Sequence, residues 1–345
     1  MSIEEVYADC AASAPPLPCA KKVLMNWSYA NPNSGHIPGR ESRRDLEDAR
    51  EIISRCINAK PEEIAFTPSA TAACRYFRRL IDDDNECIMV SRYEHKAVDT
   101  IPFHLKCGIA GGRSCVGYPT IHMLANNETG ERYDCMVMDL AKHNRRVFTD
   151  ATAAVGQIPV DVQNLGVAAL AAGAHKFGGY PGIGFLYVRG GIKDDDTFPG
   201  TPPVALAVAM AVALKYRTDH MNDSMQYLME QTAALAMSIQ NIPGAHINTP
   251  FKGRLPNILS VRFDGVNARE LLSMLDVNGV YASAGAACSA DADEPSRTLL
   301  ASGLTEEDAL STIRLSFCPE TTPEAFSFVS DALRRSVSNL RALSR

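Results

Sequence analysis

Between Gly173 and Phe185 the chain reads "GAHKFGGYPGIGF", and Lys176 is the only lysine in a glycine-, alanine- and aliphatic-rich run from Leu165 to Val188. An amine at the end of a buried strand loses hydration, which lowers its pKa and frees the neutral form. That form condenses with carbonyl compounds. Polar residues close other predicted strands: Thr71 in "PSAT", His95 in "EHKAV", Asn127 in "NNETG", Asp150 in "DATAAVG", and His175 beside the lysine. Open α/β sheets bind ligands at the carboxyl ends of their strands, so these residues form one candidate set.

The set matches what pyridoxal phosphate asks of a protein: a lysine for the aldehyde, a carboxylate for the pyridine nitrogen, a ring to stack, and amides with hydroxyls for the phosphate. Lys176 and Asp150 suit the first two roles. The turn at Ser69, Ala70 and Thr71 opens a predicted helix and suits the phosphate.

A second chemical group is Cys288, in "YASAGAACSADADEPSR". Small residues followed by a polar run and Pro295 describe a loop with an accessible thiol. Such a thiol is reactive when its pKa is lowered. The other nine cysteines form no C-x-x-C pair or Cys/His cluster, and most are read as small buried hydrophobes, with no metal site.

The elements that must position these groups alternate between strand and helix, which predicts an α/β fold with a mostly parallel sheet flanked by helices. A helix is expected from Ser42, where "SRRD" resembles a capping pattern and Leu46, Ala49, Ile53 and Cys56 follow on one face. Val204 to Leu214 reads as a buried helix, too short to span a bilayer. From about residue 239 the pattern becomes a smaller α+β lobe ending in an amphipathic helix after Thr322 and Pro323. The expected division is 14–238 as the large domain, with 1–13 and 239–345 as the small one. The 345 residues carry a net charge of -6 with no basic block, which argues against nucleic acid and for a small ligand. The acidic N-terminal stretch does not read as an export signal, so a cytoplasmic location is expected.

Taken together, "VYADCAASAPP", "EHKAV", "NNETG", "DATAAVGQIPVD", "GAHKFGGYPGIGFLYVR" and "STIRLSF" resemble the class V aminotransferase-like enzymes, and among them the cysteine desulfurases, over most of the chain. The resemblance implies fold type I of the pyridoxal-phosphate enzymes and a homodimer. It implies that Lys176 holds the cofactor, His95 stacks on its ring, Asp150 pairs with the pyridine nitrogen and Asn127 lies near the ring hydroxyl. Thr71 and His175 would bind phosphate, with Thr201 of "PGTPP" donated across the dimer. Asn31 and Arg314 would hold the substrate carboxylate, and Cys288 would receive sulfur from L-cysteine as a persulfide for a sulfur-acceptor protein serving Fe–S clusters, tRNA thiolation or another thio-cofactor. A selenocysteine lyase or other β-lyase, and a trimmed non-catalytic scaffold, are the alternatives. Departures from the usual pattern are Ala153, Gly173, Ser69, Cys10 and shortened stretches at 96–126 and 189–200.

Overall fold

The computed structural model describes residues 4–27, 30–81, 88–99, 106–109, 118–143, 146–191, 200–285 and 294–343. Its contacts divide the chain into two units. The larger holds Ala14–Ala125 and Tyr133–Met221; the smaller holds Met1–Ser13, Asn126–Arg132 and Asn222–Arg345. The second boundary thus falls at 221/222 and not at 238/239, because the following helix buries Leu228, Leu235 and Ile239 in the core of the smaller unit. The turn 126–132 also joins that unit, where Leu255 N donates to Gly130 O (2.7 Å) and Thr249 Oγ1 to Thr129 O (2.7 Å).

Strand β1 (Val6–Tyr7) belongs to the smaller unit. In the larger unit β2 (Ile64–Thr67), β3 (Ile88–Ser91), β4 (Lys106–Ile109), β5 (Thr120–Ile121), β6 (Val147–Asp150), β7 (Ala169–Gly173) and β8 (Gly184–Val188) form one sheet, ordered β2-β8-β7-β6-β5-β3-β4. Strands β7, β6, β5, β3 and β4 are mutually parallel, while β8 is antiparallel to both neighbours. Strand β2 therefore runs in the same sense as β7. The carboxyl ends of β2, β3, β6 and β7 consequently leave the sheet at one edge. Every residue of β2, β3, β6, β7 and β8 is buried, as continuous apolar runs require of strands covered on both faces.

Helices α1 (Pro18–Met25), α2 (Ile37–Cys56), α3 (Ala70–Tyr76), α4 (Lys96–Asp99), α5 (Asp134–His143), α6 (Val162–Leu165) and α7 (Val204–Asp219) complete this unit. Helix α2 starts before Ser42, correcting the expected boundary. His36 caps it, Nδ1 accepting from Gly39 N at 3.1 Å, and proline stands in the first turn. Ser42 is an internal, buried position. Helix α7 includes the apolar stretch foreseen from Val204 and packs against α1 and α2. Phe77 on the helical side and Phe148 on β6 pack with centroids 5.6 Å apart, in a core with Ile88 and Ile121. Each such buried side chain contributes about 1.5–3 kcal/mol relative to exposure.

The smaller unit contains α8 (Met221–Gln240), of which all but the first residue belongs here, β9 (Ala245–Ile247), β10 (Ile258–Phe263), α9 (Ala268–Val277), β11 (Val280–Tyr281), α10 (Arg297–Ala301), α11 (Glu306–Leu310), β12 (Thr312–Ser316) and α12 (Pro323–Leu343). β10 is central in the antiparallel order β12-β10-β9, and β1 pairs in parallel with β11. Helix α12 buries Phe326, Val329, Leu333 and Val337, a helical spacing that lays one apolar stripe on this core.

One pairing was not legible in the sequence: Cys10 and Cys318 form a disulfide, with Cα atoms 6.0 Å apart. The reading of both as unpaired buried hydrophobes is therefore corrected. The backbone brings them together, because Cys10 N donates to Ser316 O (3.1 Å) and Asp9 bridges to Ser316 in parallel register. The bond ties the first residues to a strand end 308 positions away. Replacing either cysteine by serine is expected to lower unfolding free energy by about 2–4 kcal/mol. Thermal melts with and without dithiothreitol check this: reductant should lower the wild-type midpoint and leave that of the double serine variant unchanged.

Candidate active site

Lys176 closes a 3₁₀ turn, Ala174–Lys176, directly after β7. Its backbone is held on two sides, since Gln157 Nε2 donates to Lys176 O (3.2 Å) and Ala14 N to His175 O (2.8 Å). Just before the turn, Gly173 pairs with Gly184 across β7 and β8. A β-carbon at Gly184 would lie 2.6 Å from Ala172 O, 2.9 Å from Ser69 C and 3.0 Å from Ala70 N. At Gly173 it would lie 3.2 Å from Ala70 Cβ. The two glycines let the "PSAT" turn rest directly on the sheet edge. A larger residue at Gly173 would press on Ala70.

The turn itself is fixed by its own side chains. Ser69 Oγ accepts from Ala72 N (3.1 Å) to cap α3, and Thr67 Oγ1 donates to Ser69 O (3.0 Å). Ser69, Ala70, Thr71 and the pair His175–Lys176 thus gather at the ends of β2 and β7. Burial, and secondly the charge of Lys176, push His175 down to about 4. At neutral pH its ring is uncharged, able to donate one N–H and accept at the other nitrogen.

Asp150 ends β6, beside β7, and is 7% exposed. Its Oδ1 accepts from Thr152 N (2.9 Å), and its carbonyl accepts from Leu124 N (2.9 Å). The fully buried Cys74 thiol of α3 lies within reach of the Asp150 charge. Burial first, then the charges of Asp150 and Glu94, push this thiol well above its ordinary value, so it stays protonated. His95 follows β3, with Nδ1 accepting from Ala97 N (3.1 Å), which places the proton of a neutral ring on Nε2. Its neighbour Glu94 accepts from Met123 N through Oε1 (2.6 Å), tying this corner to β5. Four strand ends therefore present Thr71, His95, Asp150 and Lys176 along one edge.

Asn31 and Thr201 line a cleft of about 400 Å³ in the same unit, with Trp27, Pro32, Pro202 and Leu206. Asn31 Oδ1 accepts from Asn33 N (2.9 Å), leaving its amide NH2 to face other partners.

Two expected site residues lie in the smaller unit. Arg314 on β12 is 1% exposed; Nη2 pairs with Asp9 Oδ1 at 2.6 Å and Nη1 donates to Asn127 O at 2.8 Å. Its Nε is buried without a hydrogen-bond partner. Asp9 is held in turn by Ser283 Oγ (3.0 Å). Asn127 takes part through its carbonyl. Cys288 lies outside the described residues.

Asp9, Cys74 and Glu128 escaped the sequence reading. Asp9 sits in the quoted "VYADC", Cys74 one helical turn after Thr71, and Glu128 inside "NNETG". Their motifs were visible, but the partners are remote in sequence.

The family description "Aminotransferase class-V" matches residues 6–105, 120–197 and 191–327. The chain is 32% identical to "Cysteine desulfurase IscS" of Dictyoglomus turgidum, over 99% of this chain and 96% of that protein. It is 29% identical to the "IscS-like cysteine desulfurase" of Mycobacterium tuberculosis, over 90% of each. Among solved structures, a "NIFS-LIKE PROTEIN" superposes with a TM-score of 0.87 at 25% identity, covering 97% of this chain and 100% of that one. "SspA in complex with cysteine" superposes with a TM-score of 0.74 at 25% identity, covering 92% and 99%. With the family pattern running through both units and the relatives matched end to end, this chain belongs to the class-V aminotransferase family.

Proposed function

We propose that the protein is a pyridoxal-phosphate-dependent cysteine desulfurase, converting L-cysteine to L-alanine and collecting the sulfur on Cys288 as a persulfide. The observation that carries this reading is the single sheet edge at which Lys176, Asp150, His95 and Thr71 emerge from four strands of like direction. The residues fit the cofactor. A lysine and a buried carboxylate leave neighbouring strands, and two side-chain-free positions, Gly173 and Gly184, hold the phosphate turn against the sheet.

When bound, pyridoxal phosphate supplies an electron sink for charge developing on the amino-acid carbon. Lys176 Nζ anchors it and, once displaced by substrate, moves the Cα proton. Asp150, oriented by Thr152 N, would hold a proton on the ring nitrogen. His95 would stack on the ring, and Ser69, Ala70, Thr71 and neutral His175 would bind the phosphate. Asn127 serves the ring hydroxyl. Asn31 orients the cysteine together with Arg314, whose Nη1 and Nη2 are already engaged by Asn127 O and Asp9 and which offers the carboxylate its remaining N–H groups, Nε among them. The Cys288 thiolate attacks the substrate sulfur: an S–S bond forms, the C–S bond breaks, and its electron pair goes to the carbon that becomes the alanine methyl group. Thr201 completes the phosphate site of a second copy in a homodimer, and an acceptor protein in the cytoplasm takes the persulfide sulfur.

Lys176→Ala is expected to abolish the borohydride-sensitive chromophore and to lower alanine production by at least about 10³-fold. Cys288→Ala should keep the chromophore and lose cysteine-dependent sulfide release. Alanine and sulfide measured together from L-cysteine check both; sulfide release that survives Cys288→Ala would favour a β-lyase in which the thiol accepts no sulfur.

The His175 environment sets a pH dependence. Its folded pKa is about 4 against roughly 6.5 unfolded, so between these values the unfolded chain binds more protons. Stability is therefore complete above about pH 6.5 and declines as pH falls toward 4. Allowing for solvent screening at this half-buried ring, the loss is on the order of 1 kcal/mol. Denaturant titrations of apoprotein at pH 7 and 5, compared with His175→Gln, should show the drop shrinking in the variant.

A further inference from the structure

Glu128 has no part in the chemistry above, yet it is 7% exposed, and among the described residues it has no ion-pair partner. Burying a carboxylate without a cation is costly, so its surroundings must repay it in hydrogen bonds or in position. Its backbone is rigidly set: Asn126 Oδ1 accepts from both Glu128 N (2.8 Å) and Thr129 N (2.9 Å), and Gly130, at φ +77°, closes the turn. On one side of Glu128, Asn127 O accepts from Arg314. On the other, Thr129 O accepts from Thr249.

The side chain then reaches two residues far away in sequence. Ser296 Oγ donates to Glu128 Oε2 at 2.5 Å while accepting from Leu299 N (3.3 Å) as the cap of α10. Gly285 lies against the same carboxylate: a β-carbon there would be 3.1 Å from Oε2 and 3.6 Å from Ser296 Cβ, and its φ is +60°. Gly285 and Ser296 flank the stretch that contains Cys288. Two residues before Gly285, Ser283 exchanges backbone hydrogen bonds with Arg314 (3.3 and 2.6 Å). One carboxylate oxygen therefore meets both stems of the Cys288 segment, and one of those stems is joined to Arg314.

We infer that Glu128 is a positioning residue that fixes both stems of the Cys288 segment relative to Arg314, through the Ser296 hydroxyl and the side-chain-free position at Gly285. The inference rests on the desulfurase reading for its consequence: the stems set where the stretch between them starts and ends relative to Arg314, and sulfur transfer to Cys288 is the step that depends on it. An anchor of this kind acts on the sulfur-transfer step and leaves cofactor and substrate binding alone.

The test uses the holoenzyme with Glu128→Ala, Ser296→Ala and Ser296→Thr. Single-turnover transfer of sulfur from L-cysteine to Cys288, read by mass spectrometry, should slow about tenfold or more in both alanine variants, because displacing a reacting group by about an ångström costs rate on that scale. The KM for L-cysteine and the cofactor absorbance should change by less than about twofold, and Ser296→Thr, which keeps the hydroxyl, should recover most of the rate. A second readout needs no turnover: the rate of Cys288 alkylation by iodoacetamide should differ at least about threefold between wild type and both alanine variants, and return toward wild type in Ser296→Thr. Unchanged alkylation, a rate loss matched by loss of cofactor or by a rise in KM, or a threonine variant no better than alanine would each overturn the inference. Wild-type protein that forms neither alanine nor persulfide would overturn the desulfurase reading, while the alkylation comparison still decides the role of Glu128.

Discussion

The large unit depends on one close approach: the backbone at Ser69–Ala70 lies against Gly173 and Gly184, with no room for a β-carbon at Gly184 and little at Gly173. Close-packed backbone is stiff, because no rotamer can absorb a shift. The 3₁₀ turn bearing His175 and Lys176 begins at the same point, so the Ser69–Thr71 turn and the lysine are fixed relative to each other by the sheet. Asp150 enters from the adjacent strand, with one oxygen tied to Thr152 N and the protonated Cys74 thiol nearby. A carboxylate so held reorganises little when charge develops nearby, which is what electrostatic preorganisation requires.

The small unit is organised around a different constraint, the buried Arg314–Asp9 pair. Removing one partner of such a pair costs about 3–5 kcal/mol, since the other charge is left stranded. That penalty forces β12, the segment after β1 and the "NNETG" turn to stay together. The Cys10–Cys318 bond reinforces the same junction, one residue beyond Asp9 and two beyond Ser316. Here the departure of Cys10 from the resembled pattern has a structural partner, and its side chain acts as a tether.

Much of this was legible because strands buried on both faces read as apolar runs, and polar residues at their ends stand out against them. Lys176, Asp150 and His95 could be chosen on that contrast alone, and the sheet places them at a common edge. Helix α12 was equally readable from Phe326, Val329 and Leu333. Local signals failed where two competed: "SRRD" resembles a cap, yet the His36 ring and the following proline start the helix earlier. The end of the large domain was misplaced for a related reason. Helix α8 continues the helical pattern of α7, and only the packing of Leu228 and Leu235 reveals which core it serves.

What stayed hidden has a common character: each missed residue acts through a partner that no periodicity connects to it. Asp9 and Arg314 are 305 positions apart, and Glu128 and Ser296 are 168 apart. Sequence pattern reports burial and turn chemistry, both local properties, whereas these contacts follow from the register of β12 on β10 and from the path of the 126–132 turn. The usable clue is energetic. A charged residue drawn out of water, such as Asp9 in the largely apolar "VYADC" or the buried Glu128 in "NNETG", costs stability unless something distant satisfies it. Such residues mark where remote segments must meet, and in this chain both lie on the paths that lead to Arg314 and to the stems flanking Cys288.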